Sequence, residues 1–210
     1  MKRMNRTKAK KVLRWAGFFV LCVGLTGETC LEERGVEVVV GASVTAPFEA
    51  RGEQNVHHDT YVANLIENAD VQQILEDNGF EDMVAAYIES AFYRVTKQDA
   101  GAADRMVSGY ITVDGKNLIQ YASIAVNDPT LADWTPVPLV EEGVDYINGL
   151  LADYFIEMFV NGNPNPPEPM VTFECGGTSE PQGTPTDFDW EIRVKLVLVG
   201  KTEVEVLDPL

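Results

Sequence analysis

Hydrophobic residues in this chain fall mostly into runs that alternate with polar ones, the pattern of strands that bury one face of a sheet. The clearest run covers 190–206, where Trp190, Ile192 and Val194 alternate with charged residues, and we expect two strands that turn near Gly200. Five more segments, rich in β-branched and aromatic residues, are predicted as strands: 35–48, 83–97, 106–113, 118–126 and 171–175.

Two segments change to a helical period. The first, 70–79, begins with a possible N-cap at Asp70 and stops at Gly79. The second is a longer amphipathic helix at about 140–160. The polar segments between these elements are predicted as loops: 49–58, 129–138, 163–169 and 176–187.

These elements predict a mainly β fold. About seven strands, one long helix and one short helix occur without a repeat or a regular strand–helix alternation, which argues against a parallel sheet. Asp114-Gly115 between two strands predicts a hairpin. We therefore expect a β-sandwich or a partly open antiparallel barrel, with the long helix covering one end or face. Apolar positions continue throughout, which favours a single domain over 28–210.

Charge is distributed unevenly along the 210 residues. Seven of the 16 basic residues lie in the first fourteen positions, and 15–27 is an uncharged, mostly apolar stretch. This layout is typical of a secretory signal peptide, here assigned to 1–27. As a helix, 15–27 would reach only about 20 Å, short of a hydrocarbon core of about 30 Å. We expect export to the periplasm, cell surface or medium; the alternative is a buried N-terminal helix with a basic tail.

Removal of 1–27 leaves nine basic residues against 33 acidic ones, a net charge of −24. Such a surface disfavours nucleic acid and anionic membranes as partners, because both are bound through Lys and Arg. The acidic residues of the 140–160 helix also forbid a membrane span there, so we expect no transmembrane span in the mature chain.

Two cysteines remain after such cleavage, Cys30 and Cys175. In an oxidising compartment they are expected to form a disulfide. The alternatives are two separate thiols, or a lipid on Cys30 with Cys175 buried. Lipid anchoring at Cys30 is disfavoured because the acidic Glu28 fits a lipoprotein signal poorly.

Candidate chemistry is sparse, since the chain has no phosphate-binding loop, nucleophile elbow or metalloprotease motif. The two histidines, His57 and His58, are adjacent and would point opposite ways on an extended segment, so we expect a solvated loop pair rather than a metal site with Asp59. No cofactor is expected.

The most pointed acidic cluster is Asp187, Asp189 and Glu191. Alternate positions on an extended chain place these three carboxylates on one side, where they could hold Ca²⁺, which prefers 6–8 oxygen ligands. A solvated strand edge explains the same residues.

One resemblance adds to these expectations. The Val-rich first strand, the helix Asp70-Val-Gln-Gln-Ile-Leu-Glu-Asp-Asn-Gly79 and the strand Ala86-Tyr-Ile-Glu-Ser-Ala-Phe-Tyr-Arg-Val-Thr96 resemble uncharacterised secreted or lipoprotein-like β-sandwich proteins of bacteria. The resemblance covers about 30–126 and implies export and a β-sandwich.

Together these features predict an exported, non-enzymatic binding or structural module. One alternative is a homopolymeric fibre or surface subunit, in which the strands at 35–48 and 189–207 add to a neighbour's sheet edge by self-association. A lesser alternative is a small extracytoplasmic hydrolase, which needs a concave, carboxylate-lined cleft.

The export prediction is tested by the intact mass of the protein recovered from its native cell envelope or medium. We expect a chain that starts near residue 25–28. A chain that retains Met1 and is recovered from the cytoplasm would contradict export, and a start at Cys30 with added acyl mass would show lipid anchoring instead.

Overall fold

The computed structural model describes residues 31–52, 55–98, 105–126, 133–183 and 186–207. The chain divides into a larger unit, residues 34–204, and a smaller one made of residues 1–33 and 205–210. Both helices and nearly all strand residues belong to the larger unit, and the predicted signal peptide lies outside the described residues.

Strands account for most of the described chain. They are β1 (Leu31–Gly52), β2 (Val56–Asn64), β3 (Asp82–Gln98), β4 (Met106–Val113), β5 (Lys116–Ala125), β6 (Thr135–Val137), β7 (Met170–Glu180) and β8 (Thr186–Leu207). The helices are α1 (Val71–Asn78) and α2 (Glu141–Phe155), and α2 continues into a π-helical turn (Ile156–Val160).

The strands form two four-stranded sheets. Sheet A has the order β1-β8-β3-β6, and sheet B has the order β2-β7-β4-β5. Successive strands alternate between the sheets except at the β4–β5 hairpin, and this arrangement of eight antiparallel strands is a jelly roll. The predicted class, a mainly β sandwich with one long and one short helix, is confirmed.

The core lies between the two sheets, as strand alternation requires. On β8 the residues Trp190, Ile192 and Val194 are buried, facing inward side chains such as Phe173 of sheet B. Helix α2 packs against β3, β4 and β5. The Asn148 side chain on α2 accepts a hydrogen bond of 2.8 Å from the Ile88 amide of β3. The short β6 pairs only with residues 91–93 of β3, so the helix provides a hydrogen-bond partner for an amide beyond that pairing.

The predicted turn near Gly200 is wrong, because β8 continues as one strand through that position. Gly200 faces Met83 in the β3–β8 register. A Cβ built on Gly200 would lie 2.5 Å from the ring of Phe80. The glycine therefore provides space for an aromatic ring against the strand and does not reverse the chain.

The loop predictions are also partly wrong. β1 extends to Gly52 and β2 begins at Val56, so the predicted loop at 49–58 is mostly strand. Similarly, β7 runs on to Glu180, and the three-residue β6 interrupts the loop at 129–138. The polar residues and glycines of these segments are typical of loops. The segments are nevertheless extended, because they pair with strands that are distant in the sequence.

The sequence predictions for the ends of the short helix and for the β4–β5 hairpin turn are confirmed. Helix α1 ends at Gly79, whose φ of 61° is the left-handed conformation of a helix C-cap. Asp70 occupies the N-cap position, although its side chain makes no capping hydrogen bond. Asp114 and Gly115 have φ angles of 47° and 78°, which are typical of a two-residue type I′ hairpin turn.

Replacing Gly200 with alanine tests the close approach between this glycine and the Phe80 ring. Because the added methyl group overlaps the Phe80 ring, we expect Gly200→Ala to lower the free energy of unfolding by about 1–3 kcal/mol. The matched control is Gly149→Ala in α2, where nothing lies within 4 Å and helix propensity favours alanine by about 0.5–1 kcal/mol. Urea denaturation of both variants makes the comparison, and a neutral Gly200→Ala would contradict the close approach.

Candidate functional site

The two histidines occupy very different environments. Strand β2 directs His57 into the core, where it is 1% exposed, while His58 faces solvent. Nε2 of His57 lies 3.0 Å from the hydroxyl oxygen of Tyr121 on β5. The expectation that neighbours on an extended segment diverge is confirmed, and the expectation of a solvated pair is wrong for His57.

Two glycines create the space that this buried pair occupies. A Cβ on Gly177 would lie 2.8 Å from Cε1 of His57, and a Cβ on Gly109 would lie 2.6 Å from the hydroxyl of Tyr121. Gly109 and Gly177 are themselves partners in the β4–β7 register. Because these two inward-facing glycines have no side chains, the imidazole of His57 and the phenol of Tyr121 fit between the sheets.

Burial keeps this cluster uncharged at neutral pH. It lowers the pKa of His57 to about 4, with a smaller effect from the charge of His58. It also raises the pKa of Tyr121, and raises that of the Cys175 thiol to about 12. The Cys175 sulfur lies 4.0 Å from the Tyr121 hydroxyl. A neutral imidazole, phenol and thiol without access to solvent form a structural cluster, not a nucleophilic one.

Cys175, the predicted disulfide partner of Cys30, has no sulfur partner among the described residues and is 1% exposed. It projects from β7 into the core between the sheets. Cys30 lies outside the described residues.

The three carboxylates assigned to calcium are paired with arginines. Arg51 at the end of β1 contacts Asp187 at 2.8 Å and also forms a short ion pair with Asp189. The third carboxylate, Glu191, accepts a hydrogen bond of 2.7 Å from Nε of Arg94. Guanidinium groups thus neutralise the charge that would attract a cation. In the described part of the chain, no three His, Cys, Asp or Glu residues are grouped to hold a metal ion.

A carboxylate-lined cavity of about 460 Å³ lies between the end of β2, helix α1 and the segment that precedes β7. Four acidic residues that are all exposed line it: Glu67, Asp70, Glu76 and Glu168. A general acid in a glycosidase needs an apolar environment that holds its proton. The cavity has the composition that the hydrolase alternative requires, but its carboxylates lie in water.

The outer edge of β1 is the most unusual surface of sheet A. β1 is the terminal strand of the sheet and has β8 as its single neighbour among the described strands. Val39 is 67% exposed and Val36 is 42% exposed on this strand. The sequence analysis named 35–48 and 189–207 as strands able to add to a neighbour's sheet. The second prediction is wrong, because β8 lies between β1 and β3 and its two edges are already paired.

Comparisons with known proteins add little to this geometry. No family model matches the chain, and no curated protein matches it. One solved structure that matches is a chain of desmodium yellow mottle tymovirus, 7% identical, with 91% of this chain and 99% of that chain covered. Its TM-score of 0.27 is too low to support an argument about function. In the described residues, no helix combines the length and apolarity needed to cross a membrane.

The burial of His57 predicts acid sensitivity. Its folded-state pKa of about 4 lies below the usual 6.5, so between these pH values the unfolded chain binds the proton more tightly. Stability is therefore complete above pH 6.5 and falls as the pH drops towards 4, by at most about 3 kcal/mol from this group.

Urea denaturation between pH 7 and pH 4 measures this contribution. His57→Gln is expected to lose part of the acid dependence, whereas the exposed control His58→Gln keeps it. Equal pH dependence in the wild type and His57→Gln would contradict the buried neutral histidine.

Proposed function

We propose that this protein is an exported, non-enzymatic structural subunit that associates with copies of itself through the outer edge of β1. The observation that carries the proposal is the exposure of valines on this strand, whose outer edge has no partner among the described strands. A long, apolar edge strand presents a row of backbone donors and acceptors that readily pairs with another strand.

The composition of β1 supports pairing. Monomeric proteins protect strand edges with lysine, proline or inward-pointing charges. Between Gly35 and Ala46 the strand has one charged residue, Glu37, and neither lysine nor proline. This central segment therefore lacks the usual devices that prevent addition of a strand, whereas the other charged residues of β1 and its proline flank it at 32–34 and 47–51.

Charge sets the conditions for such assembly. Residues 15–210 carry nine basic and 33 acidic side chains, so copies repel one another at long range. Salt screens this repulsion, with a Debye length of about 8 Å at physiological ionic strength. Backbone pairing at the edge is short-ranged and survives screening, so salt favours assembly.

The other features support a structural role. The His57 imidazole, the Tyr121 phenol and the Cys175 thiol are buried and uncharged. The arginines neutralise the candidate calcium ligands. Export is supported by the basic start of the chain and the uncharged stretch at 15–27.

A second candidate is a shell subunit that keeps its basic N-terminal segment. Jelly rolls are a common architecture of viral capsid domains, and a basic N-terminal block is typical of an arm that binds nucleic acid. The seven basic residues at positions 1–14 are the sequence observation that favours this second candidate. The link to capsid proteins is an analogy between folds. The two candidates differ in whether residues 1–27 remain on the mature chain and whether nucleic acid co-purifies.

Substitution of an edge valine tests the proposed assembly. We expect the wild type to form oligomers whose size increases with protein concentration and with salt. Val39→Lys should weaken association at least about tenfold, because it places a strongly hydrated charge on the pairing edge. Sedimentation velocity at several concentrations measures both effects.

The matched control is Val62→Lys on β2, a comparably exposed valine on the edge of sheet B. It should assemble like the wild type. A protein that stays monomeric at all concentrations, or a Val39→Lys variant that assembles normally, would overturn the proposal.

A further inference from the structure

A cavity of about 760 Å³ lies on the outer face of sheet B. Strands β4, β5 and β7 form its floor, and the segment 138–140 forms a wall beside β5. A backbone hydrogen bond of 2.8 Å from the Val140 amide to the Leu118 carbonyl holds that wall in place. The cavity is shallow and open to solvent, so a ligand here would lie against the sheet with one side exposed.

No charged residue lines this cavity, although the chain has 33 acidic residues. The 460 Å³ cavity is lined by four carboxylates, and a smaller one of about 190 Å³ includes Asp82. The electrostatics of this cavity therefore favour a neutral ligand over an ionic one.

An exposed aromatic ring forms part of the floor. Tyr110 on β4 is 45% exposed and is paired with Gly176 on β7. A Cβ on Gly176 would lie 2.7 Å from the Tyr110 hydroxyl and 2.8 Å from the ring carbon that carries it. The glycine therefore lets the phenol lie down over the neighbouring strand, which leaves a ring face available for stacking.

Neutral polar groups surround that ring. Gln120 is the partner of Tyr110 across β4 and β5, and Ser108 is paired with Thr178 across β4 and β7. Hydroxyl and amide side chains offer both donors and acceptors. The Ser108 oxygen already accepts a hydrogen bond from the Ser123 amide, so its own proton remains available to donate.

We propose that this cavity is a binding site for a neutral saccharide, a function beyond self-assembly. A sugar ring has an apolar face that stacks on an aromatic side chain and a rim of hydroxyls that both donate and accept hydrogen bonds. Tyr110 supplies the stacking surface, and Ser108, Gln120 and Thr178 supply the polar partners. The site would attach the assembled protein to an uncharged polysaccharide.

Calorimetric titration of the full-length protein with cellohexaose, mannohexaose and chitohexaose tests the proposal. We expect at least one of these neutral oligosaccharides to bind with a Kd of about 1 mM or tighter. Tyr110→Ala should weaken that binding at least tenfold. The control Tyr87→Ala removes a tyrosine of similar exposure from sheet A and should leave the Kd unchanged.

Two further variants separate binding from folding. Gly176→Ala is expected to lift the Tyr110 ring and weaken binding, whereas the exposed Gln120→Ala should weaken binding without changing the thermal midpoint. Absence of binding to all three oligosaccharides would overturn the proposal. Binding that is unaffected in both Tyr110→Ala and Gln120→Ala would overturn it as well. Neither outcome bears on the β1 edge, which sedimentation tests separately.

Discussion

The packing of aromatic rings between the two sheets is the constraint on which the rest of the structure depends. Trp190 of β8 is central, with its ring centroid 5.3 Å from Tyr121 of sheet B and 5.8 Å from Phe48 of β1. Phe188 extends the cluster towards His57, at 6.0 Å. These contacts join both sheets and fix which face of β1, β2, β5 and β8 points inward.

Once those faces are fixed, the surface follows from strand alternation. Inward positions are occupied by buried side chains. The polar His57 and Tyr121 fit among them because Gly109 and Gly177 have no side chains. Recognition by the described part of the sandwich must therefore use outward faces and sheet edges. The outer edge of β1, which we propose pairs with another strand, and the uncharged cavity around Tyr110, which we propose binds a neutral saccharide, are two such places.

Sequence periodicity predicted the fold class, α1, α2 and the inward face of β8, because each depends on residues close together in the chain. It failed at Gly200 and His57, where the deciding partner is distant: Phe80 for the glycine, and Gly177 for the histidine. The calcium prediction was made without Arg51, which lies 138 residues before Asp189. Spacing places the three carboxylates on one side of a strand but does not reveal which cation faces them.

Hydrogen exchange at low and high protein concentration tests the central claim, that the β1 edge mediates assembly, most directly. Amides of 36–46 that point away from β8 have no strand partner among the described residues of a single copy, and they gain one on edge pairing. The account predicts that their protection rises with concentration while that of 56–62 on β2 stays constant. Exchange in β1 that is independent of concentration, in a sample shown by sedimentation to be assembled, would contradict it.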